Sequence, residues 1–335
     1  MTPVNNMSKE EKLEWLRLIA LKALEKFGLP SESEVVLANH SENTTFRISR
    51  PHSGEQFALR VHRQDYHSRK AIESELVWMS ALRNEAGVVT PVAVRGTDGE
   101  WIQNVYAPET SDTRYCVLFH WMKGRVPDEE HLTEPFFRLG KVAGHIHAHS
   151  CSWNLPDDFQ RDRWDFDAML GLKPIFGRWE EGPGLTGERT ALLSDLASMI
   201  RVRLETFGKS SKRFGLIHAD LRLANLLVHK GETRVIDFDD CGFGWYLYDL
   251  ATAMSFIEER SDISELISSW GEGYQRVLPL AEEDVTEIPT FLMLRRLVIL
   301  GWIASHAETD LAHELGADYT AGTCRLAQKY LDSFR

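Results

Sequence analysis

Residues 216–240, LIHADLRLANLLVHKGETRVIDFDD, place several reactive side chains at short spacings. Asp220 follows His218 by two residues, Asn225 follows Asp220 by five, and Asp237 lies at the end of the apolar run TRVIDF. A carboxylate can orient or deprotonate a hydroxyl group, while an amide oxygen and a second carboxylate are ligands that suit Mg²⁺. The runs LLVHK and TRVIDF predict a hairpin, which would bring these groups into one small volume.

The spacing His-x-Asp-Leu-x-x-x-Asn is the catalytic-loop pattern of kinases. Four matched positions joined to a hairpin and a strand-end carboxylate are a much stronger signal than an isolated His-x-Asp. With the closing Tyr-Asp-Leu-Ala at residues 248–251, the chain resembles the aminoglycoside phosphotransferase and choline kinase-like family over about residues 35–330. Residues 291–306, FLMLRRLVILGWIASH, resemble the branch that contains bacterial stress-response protein kinases and type II homoserine kinases.

The resemblance implies a bilobal α+β fold of the protein-kinase type. The small lobe would be β-rich, the larger lobe mainly helical, and ATP and Mg²⁺ would bind between them. By the same resemblance, Asp220 is the catalytic base, and Asn225 and Asp237 hold the magnesium ion. His218 would pack the catalytic loop, and Asp249 would give it further structural support.

Arg222 stands two residues after Asp220, where protein kinases carry a Lys and this family often has a His. An arginine at this place can neutralise charge on the phosphoryl group during its transfer. The alternative is a solvated loop arginine, since Arg is common at protein surfaces. The sequence leaves both interpretations of Arg222 open.

The small lobe offers the nucleotide-binding residues that the resemblance implies. Ser41 and Asn43 match the family's Ser-x-Asn loop over the phosphates, although a plain β-turn explains the same residue types. Arg60 occupies the strand position of the nucleotide-binding Lys, and Arg also binds phosphate, through its planar fork. Its predicted ion-pair partner is Glu75, and Glu73 is the competing acid. An exposed strand residue is the alternative for Arg60.

The junction between the lobes is predicted near residue 124, where short strand patterns give way to long helical ones. The chain is accordingly divided into residues 1–123, which bind the nucleotide, and residues 124–335, which carry the catalytic loop, metal ligands and acceptor site. The run LFHWMKG is the expected hinge, where the backbone of His120 and Met122 would hold adenine.

Apolar periodicity and turn signals predict the elements that position these residues. The small lobe is expected to contain helices over 8–28 and 67–85 and strands over 33–39, 44–49, 56–62, 88–94, 100–105 and 114–121. The large lobe is expected to contain helices over 133–149, 188–206, 249–260, 262–276 and 287–307, and strands over 226–230 and 233–238. Ser8 and Glu11 predict a capping box at the first helix.

The irregular segment 151–187 is rich in Trp, Asp, Gly and Pro, and the family's acceptor site tends to lie in this region. Trp164 and Trp179 flank it, and one interpretation is a cation–π cage for an amine. Core packing is the usual role of Trp and the alternative. Asp239, just after the metal carboxylate, is a further candidate for substrate binding. We therefore expect an acidic, aromatic-lined pocket beside Asp220.

The chain has 335 residues, is 43% hydrophobic and 26% charged, and carries a formal net charge of −12. This charge repels phosphate backbones, which argues against a nucleic-acid partner and favours an amine-bearing one. The four cysteines are scattered, as in proteins of a reducing cytosol. No apolar run reaches the length of a membrane span, and the polar N-terminus is unlike a signal peptide. The sequence therefore predicts a cytoplasmic protein without a membrane partner, and leaves its oligomeric state open.

These observations lead to one preferred function and two alternatives. The preferred function is transfer of the γ-phosphoryl group of ATP to a hydroxyl of a small molecule, such as an amino alcohol, homoserine or an aminoglycoside. The first alternative is a protein Ser/Thr kinase, although the chain lacks an Ala-Pro-Glu segment and has Asp-Phe-Asp at 237–239 in place of Asp-Phe-Gly. The second is a nucleotide-binding pseudokinase, although Asp220, Asn225 and Asp237 are all intact.

Overall fold

The computed structural model describes residues 7–108, 110–128 and 130–334. The first six residues, part of the polar start that is unlike a signal peptide, lie outside the described residues. Contacts between residues divide the chain into two compact units. Unit 1 comprises residues 1–84, 89–123 and 155–160, and unit 2 comprises residues 85–88, 124–154 and 161–335.

Unit 1 contains an antiparallel sheet and two helices. Its strands are β1 (Glu34–His40), β2 (Thr44–Ser49), β3 (Gln56–Val61), β4 (Ala93–Val94), β5 (Ile102–Ala107) and β6 (Asp112–His120). They lie in the order β1-β2-β3-β6-β4, and β5 pairs with β6. The helices are α1 (Lys9–Lys26) and α2 (Arg69–Glu85).

The first helix forms because its start is capped and one face is apolar. Ser8 Oγ accepts a hydrogen bond from the Glu11 N–H, and the Glu11 carboxylate accepts one from the Ser8 N–H, which confirms the predicted capping box. The apolar face of α1 enters a core that includes Phe46, Leu59 and Leu118 of the sheet. This packing supports the strands that carry the candidate nucleotide-binding residues.

Unit 2 is mainly helical. Its helices are α3 (Thr133–Ser152), α4 (Phe166–Leu170), α5 (Gly187–Phe207), α6 (Tyr246–Ala253), α7 (Ile263–Tyr274), α8 (Glu282–Ser305) and α9 (Asp310–Ser333). Its strands are β7 (Arg163–Trp164), β8 (Phe214–Ile217), β9 (Leu226–His229), β10 (Glu232–Val235) and β11 (Gly242–Trp245). Strands β9 and β10 form the predicted hairpin, and β11 lies between β7 and β8 in a second sheet. These two small sheets flank the loop that contains Asp220 and the turn that contains Asp237.

Helix α8 is a core helix of unit 2. Among the described helices, it alone is long and apolar enough to cross a membrane, but 72% of its most apolar window is buried inside the protein. Its buried residues include Phe291, Leu294 and Leu297, and also two arginines, Arg295 and Arg296. Buried cations require partners inside the fold, so these two side chains indicate internal ion pairs.

The elements of unit 2 depart from the sequence patterns in several places. The patterns do not predict α9. They also do not predict β8 and β11, which have four residues each and contain Gly. The helix expected over 249–260 is α6, which begins at Tyr246 and ends at Ala253. The chain then turns through Phe256, whose φ is 73°. In unit 1, the strand expected over 88–94 is reduced to β4.

Candidate active site

The loop before Asp220 is anchored to helix α6. Asp249 is fully buried, and its Oδ2 and Oδ1 accept the backbone N–H groups of His218 at 3.0 Å and Ala219 at 2.7 Å. Thr252 Oγ1 accepts the N–H of Leu221 at 2.8 Å. Ala219 has a φ of 66°, a conformation that costs a non-glycine residue about 1 kcal/mol or more. The bond to Asp249 holds Ala219 in this conformation, which sets the direction of the next residue, Asp220.

His218 supports the same loop through both ring nitrogens. Its Nδ1 accepts the N–H of Asp220 at 3.3 Å, so the Nε2–H donates to the carbonyl of Ile236 at 3.1 Å. The ring packs against Phe238 with a centroid distance of 4.5 Å. The side chain is fully buried. It therefore links the loop to the chain that follows β10, in keeping with the structural role expected of it.

His147 on α3 extends this support, although it was not among the predicted site residues. Its Nε2 lies 3.0 Å from Asp249 Oδ2, and its Nδ1 lies 3.1 Å from the hydroxyl of Tyr274. All three side chains belong to different helices, α3, α6 and α7. A polar residue on the apolar face of an amphipathic helix was the available signal, because buried polar groups are almost always hydrogen-bonded.

The Asp220 carboxylate is held by three side-chain donors. Arg295 Nη2 donates to Oδ1 at 2.8 Å, and Arg222 Nε and Asn225 Nδ2 donate to Oδ2 at 3.1 and 2.8 Å. Asn225 Nδ2 also reaches the Asp220 carbonyl at 2.9 Å. A carboxylate has about four lone-pair positions. Counting the described residues alone, about one position remains, and it is on Oδ1.

The same donors determine the charge of Asp220. Burial by itself would raise the pKa of the Asp220 carboxyl, but the positive charges of Arg222 and Arg295 outweigh it and hold the pKa below its ordinary value. The group is therefore a carboxylate near neutral pH. In this state it can accept a hydrogen bond from a hydroxyl group and orient it.

Arg295 is the clearest site residue that the sequence reading missed. Its side chain is 5% exposed, and besides Asp220 it donates to Ser255 Oγ at 3.1 Å and to the hydroxyl of Tyr248 at 3.2 Å. The local signal was two adjacent arginines within an apolar helical run. Nothing local indicates their partner, because Arg295 and Asp220 are 75 residues apart.

The candidate metal ligands offer only oxygen atoms. The Asn225 side chain is held by two hydrogen bonds that its Nδ2 donates to Asp220. Its other side-chain atom, Oδ1, therefore remains available to a cation. Asp237 lies two residues beyond β10, in a turn with φ of 62°, a conformation that Asp tolerates better than most residues. An amide oxygen and a carboxylate are hard ligands that fit Mg²⁺. The donor set is thus compatible with a magnesium ion held by Asn225 and Asp237.

The turn after Asp237 is fixed by segment 161–164. Arg161 Nε donates to the carbonyl of Cys241 at 2.5 Å, and its Nη2 donates to the carbonyl of Asp239. Trp164 Nε1 donates to the carbonyl of Asp240 at 2.7 Å. Three backbone carbonyls of the turn are therefore bound from one neighbouring segment, which keeps Asp237, the candidate metal ligand, close to a single position.

The expectation of an aromatic cage is wrong for Trp164 and Trp179. The two residues are only 2% and 5% exposed. Trp164 packs against Phe176 at 5.3 Å and stacks on Tyr248 at 6.3 Å. Asp239, the third candidate for substrate binding, is also only 5% exposed. The rings are core residues, as is usual for Trp, and they leave no open aromatic surface for an amine.

In unit 1, the predicted ion pair between Arg60 and Glu75 is confirmed. Arg60 Nη1 lies 2.7 Å from Glu75 Oε1, and their side chains are 8% and 0% exposed. The competing acid, Glu73, pairs instead with Arg69 at 3.0 Å. The guanidinium of Arg60 also lies over the ring of Phe119, 5.3 Å from its centroid. Arg60 is thus a fixed cation on β3 rather than an exposed strand residue.

The loop between β1 and β2 is a tight turn with one buried amide. The Ser41 N–H donates to the Asn43 carbonyl at 3.0 Å, and Asn43 Oδ1 accepts the N–H of Arg63 at 3.0 Å. Asn43 is therefore engaged in holding the end of β3, while Ser41 is exposed. This arrangement agrees with a structural turn and leaves the Ser41 hydroxyl at the surface.

The two expected adenine-binding residues lie at the end of β6. His120 is the last residue of this strand, and its N–H donates to the carbonyl of Val92 at 3.0 Å. The group that His120 can offer to a base is therefore its carbonyl oxygen. Met122 stands two residues further along the chain.

Comparison with known proteins identifies relatives that cover nearly the whole chain. A model of the "Phosphotransferase enzyme family" matches residues 34–280. The solved structure of a microcompartment-associated aminopropanol kinase is 41% identical, with a TM-score of 0.87 over 94% of this chain and 98% of that one. An amicoumacin kinase solved with AMP-PNP, Ca²⁺ and Ami is 23% identical, with a TM-score of 0.77 over 98% of this chain and 96% of the other. The amicoumacin kinase of Bacillus subtilis (strain 168) is 21% identical over 316 residues, which is 91% of this chain and 89% of that protein. The expected α+β, kinase-like fold is confirmed.

Proposed function

Because the chain belongs to the phosphotransferase enzyme family, we propose that it transfers the γ-phosphoryl group of ATP, together with Mg²⁺, to the hydroxyl group of a small amino alcohol. It is an ATP-dependent phosphotransferase. The observation that carries the proposal is the ionised Asp220 carboxylate, held by three donors and retaining about one lone-pair position. The amino alcohol is supported by the 41% identity to an aminopropanol kinase.

In unit 2, Asp220 accepts the hydrogen bond of the acceptor hydroxyl at Oδ1 and points the oxygen at the phosphorus atom. Asn225 Oδ1 and Asp237 would hold a magnesium ion, which would neutralise charge on the phosphate oxygens. The side chain of Arg222 is 28% exposed, and its guanidinium can stabilise the negative charge that develops on the phosphoryl group during transfer. Arg295, which is buried, keeps the Asp220 carboxylate oriented throughout.

In unit 1, the proposed nucleotide-binding residues are Arg60, Ser41, Asn43, His120 and Met122. The Arg60–Glu75 ion pair presents a fixed guanidinium suited to phosphate oxygens. The turn at Ser41 and Asn43 would cover the phosphates, and the His120 carbonyl with the Met122 backbone would bind adenine. An amicoumacin kinase of the same fold was solved with an ATP analogue and a divalent cation, which supports this use of the fold.

An acceptor screen tests the proposal. The enzyme, ATP and Mg²⁺ are combined separately with 1-amino-2-propanol, ethanolamine, choline, homoserine, an aminoglycoside and casein, and ADP formation is measured alongside ³¹P detection of the product. We expect the highest kcat/KM for a small amino alcohol. A higher kcat/KM for homoserine would support the homoserine kinase branch, and phosphorylation of casein alone would support a protein kinase. ATP binding without any turnover would support a pseudokinase.

Arg295 is proposed as a positioning residue for Asp220. Arg295→Met should lower kcat for the amino alcohol by at least about tenfold, while the Kd for ATP stays within about twofold, because the carboxylate loses the donor that orients it. Arg295→Lys should recover part of kcat, since an ammonium can replace one donor but not the planar fork. Rates are normalised to the folded fraction from thermal unfolding. A lower Tm with an unchanged normalised kcat would show that Arg295 only stabilises the fold.

The proposal also covers the remaining expectations for the chain. We propose a cytoplasmic location, in keeping with the use of ATP and Mg²⁺. Among the described helices only α8 is apolar enough to enter a membrane, and 72% of its most apolar window is buried inside the protein. The proposed partner is a small-molecule acceptor, not a nucleic acid or a membrane. The net charge of −12 agrees with this, because it repels nucleic-acid phosphates.

A further inference from the structure

Residues 155–160, the α2 strap, belong to unit 1, although the chain on both sides of them belongs to unit 2. The strap forms a turn of its own, in which the Phe159 N–H donates to the Pro156 carbonyl at 3.0 Å. It contacts unit 1 at helix α2 and at Ser68, the residue before that helix. This is the helix that carries Glu75, the partner of the candidate nucleotide-binding Arg60.

The main anchor of the strap is a hydrogen bond to a buried serine of α2. The Gln160 N–H donates to Ser74 Oγ at 2.9 Å, and Ser74 is only 3% exposed. Two further contacts are weaker: Ser68 Oγ donates to Gln160 Oε1 at 3.4 Å, and Lys70 pairs with Asp158. The Asp158 side chain is 71% exposed, and surface ion pairs of this kind contribute little to stability.

Ser74 directly precedes Glu75, whose placement is demanding. Glu75 Oε1 lies 2.7 Å from Arg60 Nη1, and both side chains are buried. The other oxygen of Glu75, Oε2, is also buried, and none of the described residues gives it a hydrogen bond. A buried ion pair is stabilising only when its geometry is good, because both charges have lost their water. A small shift of α2 would therefore disturb Arg60 as well as Glu75.

Apolar packing holds α2 against unit 1 but does not fix it closely. The helix buries a stripe of apolar side chains that includes Ile72, Leu76 and Met79. The hydrophobic effect that drives this burial is non-directional, whereas a hydrogen bond has a preferred distance and angle. The bond from the strap reaches α2 at the residue next to Glu75. It can therefore fix the helix at the turn where the ion pair forms.

We propose that Ser74, held by the α2 strap, is a positioning residue for the Arg60–Glu75 ion pair and so for the phosphates of the nucleotide. This inference rests on the proposed function, in which Arg60 binds phosphate oxygens. Because adenine would bind at His120 and Met122, a displaced Arg60 should weaken the binding of ATP. It should leave the binding of adenosine, which has no phosphates, unchanged.

The test measures the Kd of ATP and of adenosine by calorimetry for the wild type, Ser74→Ala, Glu75→Gln and the double variant. Ser74→Ala should raise the Kd of ATP by about 3- to 10-fold, as expected for the loss of one hydrogen bond. Glu75→Gln should raise it by about tenfold or more, because Arg60 loses its charged partner. If Ser74 acts through Glu75, the double variant should match Glu75→Gln within about twofold.

Ser80→Ala is the matched control. It makes the same chemical change on the same helix, but Ser80 Oγ is in contact with Asn84 of α2 itself, at 3.4 Å. Both Kd values should stay at the wild-type level. The ratio of the Kd of ATP to that of adenosine is taken within each variant, so a partly unfolded protein still gives a valid result.

Each outcome has one interpretation. An unchanged ratio in Ser74→Ala, with a raised ratio in Glu75→Gln, overturns the positioning role and leaves the proposed function intact. An equal rise in both Kd values shows a general loosening of unit 1 and also overturns it, as does a double variant in which the two effects multiply. An unchanged ratio in Glu75→Gln contradicts the proposed role of the ion pair itself. A wild type that binds ATP but phosphorylates no amino alcohol overturns only the proposed acceptor, because these measurements need none.

Discussion

Asp220→Asn is expected to lower kcat by about 10²- to 10⁴-fold, the usual contribution of a general base. The variant keeps the size of the side chain but loses its negative charge, and an amide nitrogen must then face one of the donors now bound at Oδ1 or Oδ2. The Kd for ATP should change little, because the proposed role of Asp220 is to contact the acceptor hydroxyl. The measurements are kcat with 1-amino-2-propanol and ATP binding by calorimetry.

The control for Asp220→Asn is Asp195→Asn, an exposed carboxylate on helix α5. It carries the same chemical change and should leave kcat at the wild-type value. Thermal unfolding of both variants separates lost chemistry from lost structure, since Asp220 is bound to two arginines and its replacement also weakens unit 2. A kcat for Asp220→Asn within about threefold of the wild type would refute the assignment of the base.

Asp237→Ala should abolish the magnesium dependence of nucleotide binding and lower turnover by about a thousandfold or more. A bound metal ion contributes several kcal/mol of charge stabilisation in phosphoryl transfer, and each ~1.4 kcal/mol is a factor of ten in rate. The side chain itself is the only proposed carboxylate ligand, since Asn225 supplies a neutral amide oxygen. The turn that holds Asp237 is bound from Arg161 and Trp164, so the backbone should keep its course in the variant.

The effect of Asp237→Ala is measured without turnover, by titrating ATP into the protein with and without Mg²⁺. The wild type should bind ATP more tightly with Mg²⁺, and the variant should show one affinity in both conditions. Asn225→Asp serves as the companion variant, because it keeps an oxygen ligand but loses the amide donor to Asp220. A variant Asp237→Ala that retains the magnesium-dependent gain in affinity would show that the metal is held elsewhere.

Those parts of the site that lie close together in the sequence were predictable from it. The hairpin β9–β10, the loop from His218 to Asn225 and the turn at Asp237 are set by short-range spacing and turn residues. The Ser8–Glu11 capping box is local for the same reason. Glu75 was correctly preferred to Glu73 from the resemblance of the run IESELVWM to the family's helix, and in the structure Glu75 pairs with Arg60 while Glu73 pairs with Arg69. Local geometry was sufficient for the hairpin and the capping box, whereas the choice of Glu75 needed the family resemblance.

Several contacts of the site depend on packing between distant parts of the chain. Arg295 lies on α8 and meets Asp220 across 75 residues, and His147 on α3 meets Asp249 across 102. Pairing of β8 with β11 is also a long-range contact, so neither short strand has a local signature. Long-range packing also decides the role of Trp164 and Trp179. These aromatic side chains were expected at the acceptor site, and the structure buries them in the core.

The sequence by itself therefore indicated the candidate chemistry of the site: the proposed base, the proposed oxygen ligands and the hairpin that joins them. Only the tertiary structure decided the environment of these groups. Burial alone would raise the pKa of the Asp220 carboxyl, and the charges of the neighbouring Arg222 and of the buried Arg295 lower it; helix packing brings Arg295 to this place. Residue types and spacing specify reactive groups, whereas desolvation and long-range charge pairing require the folded chain.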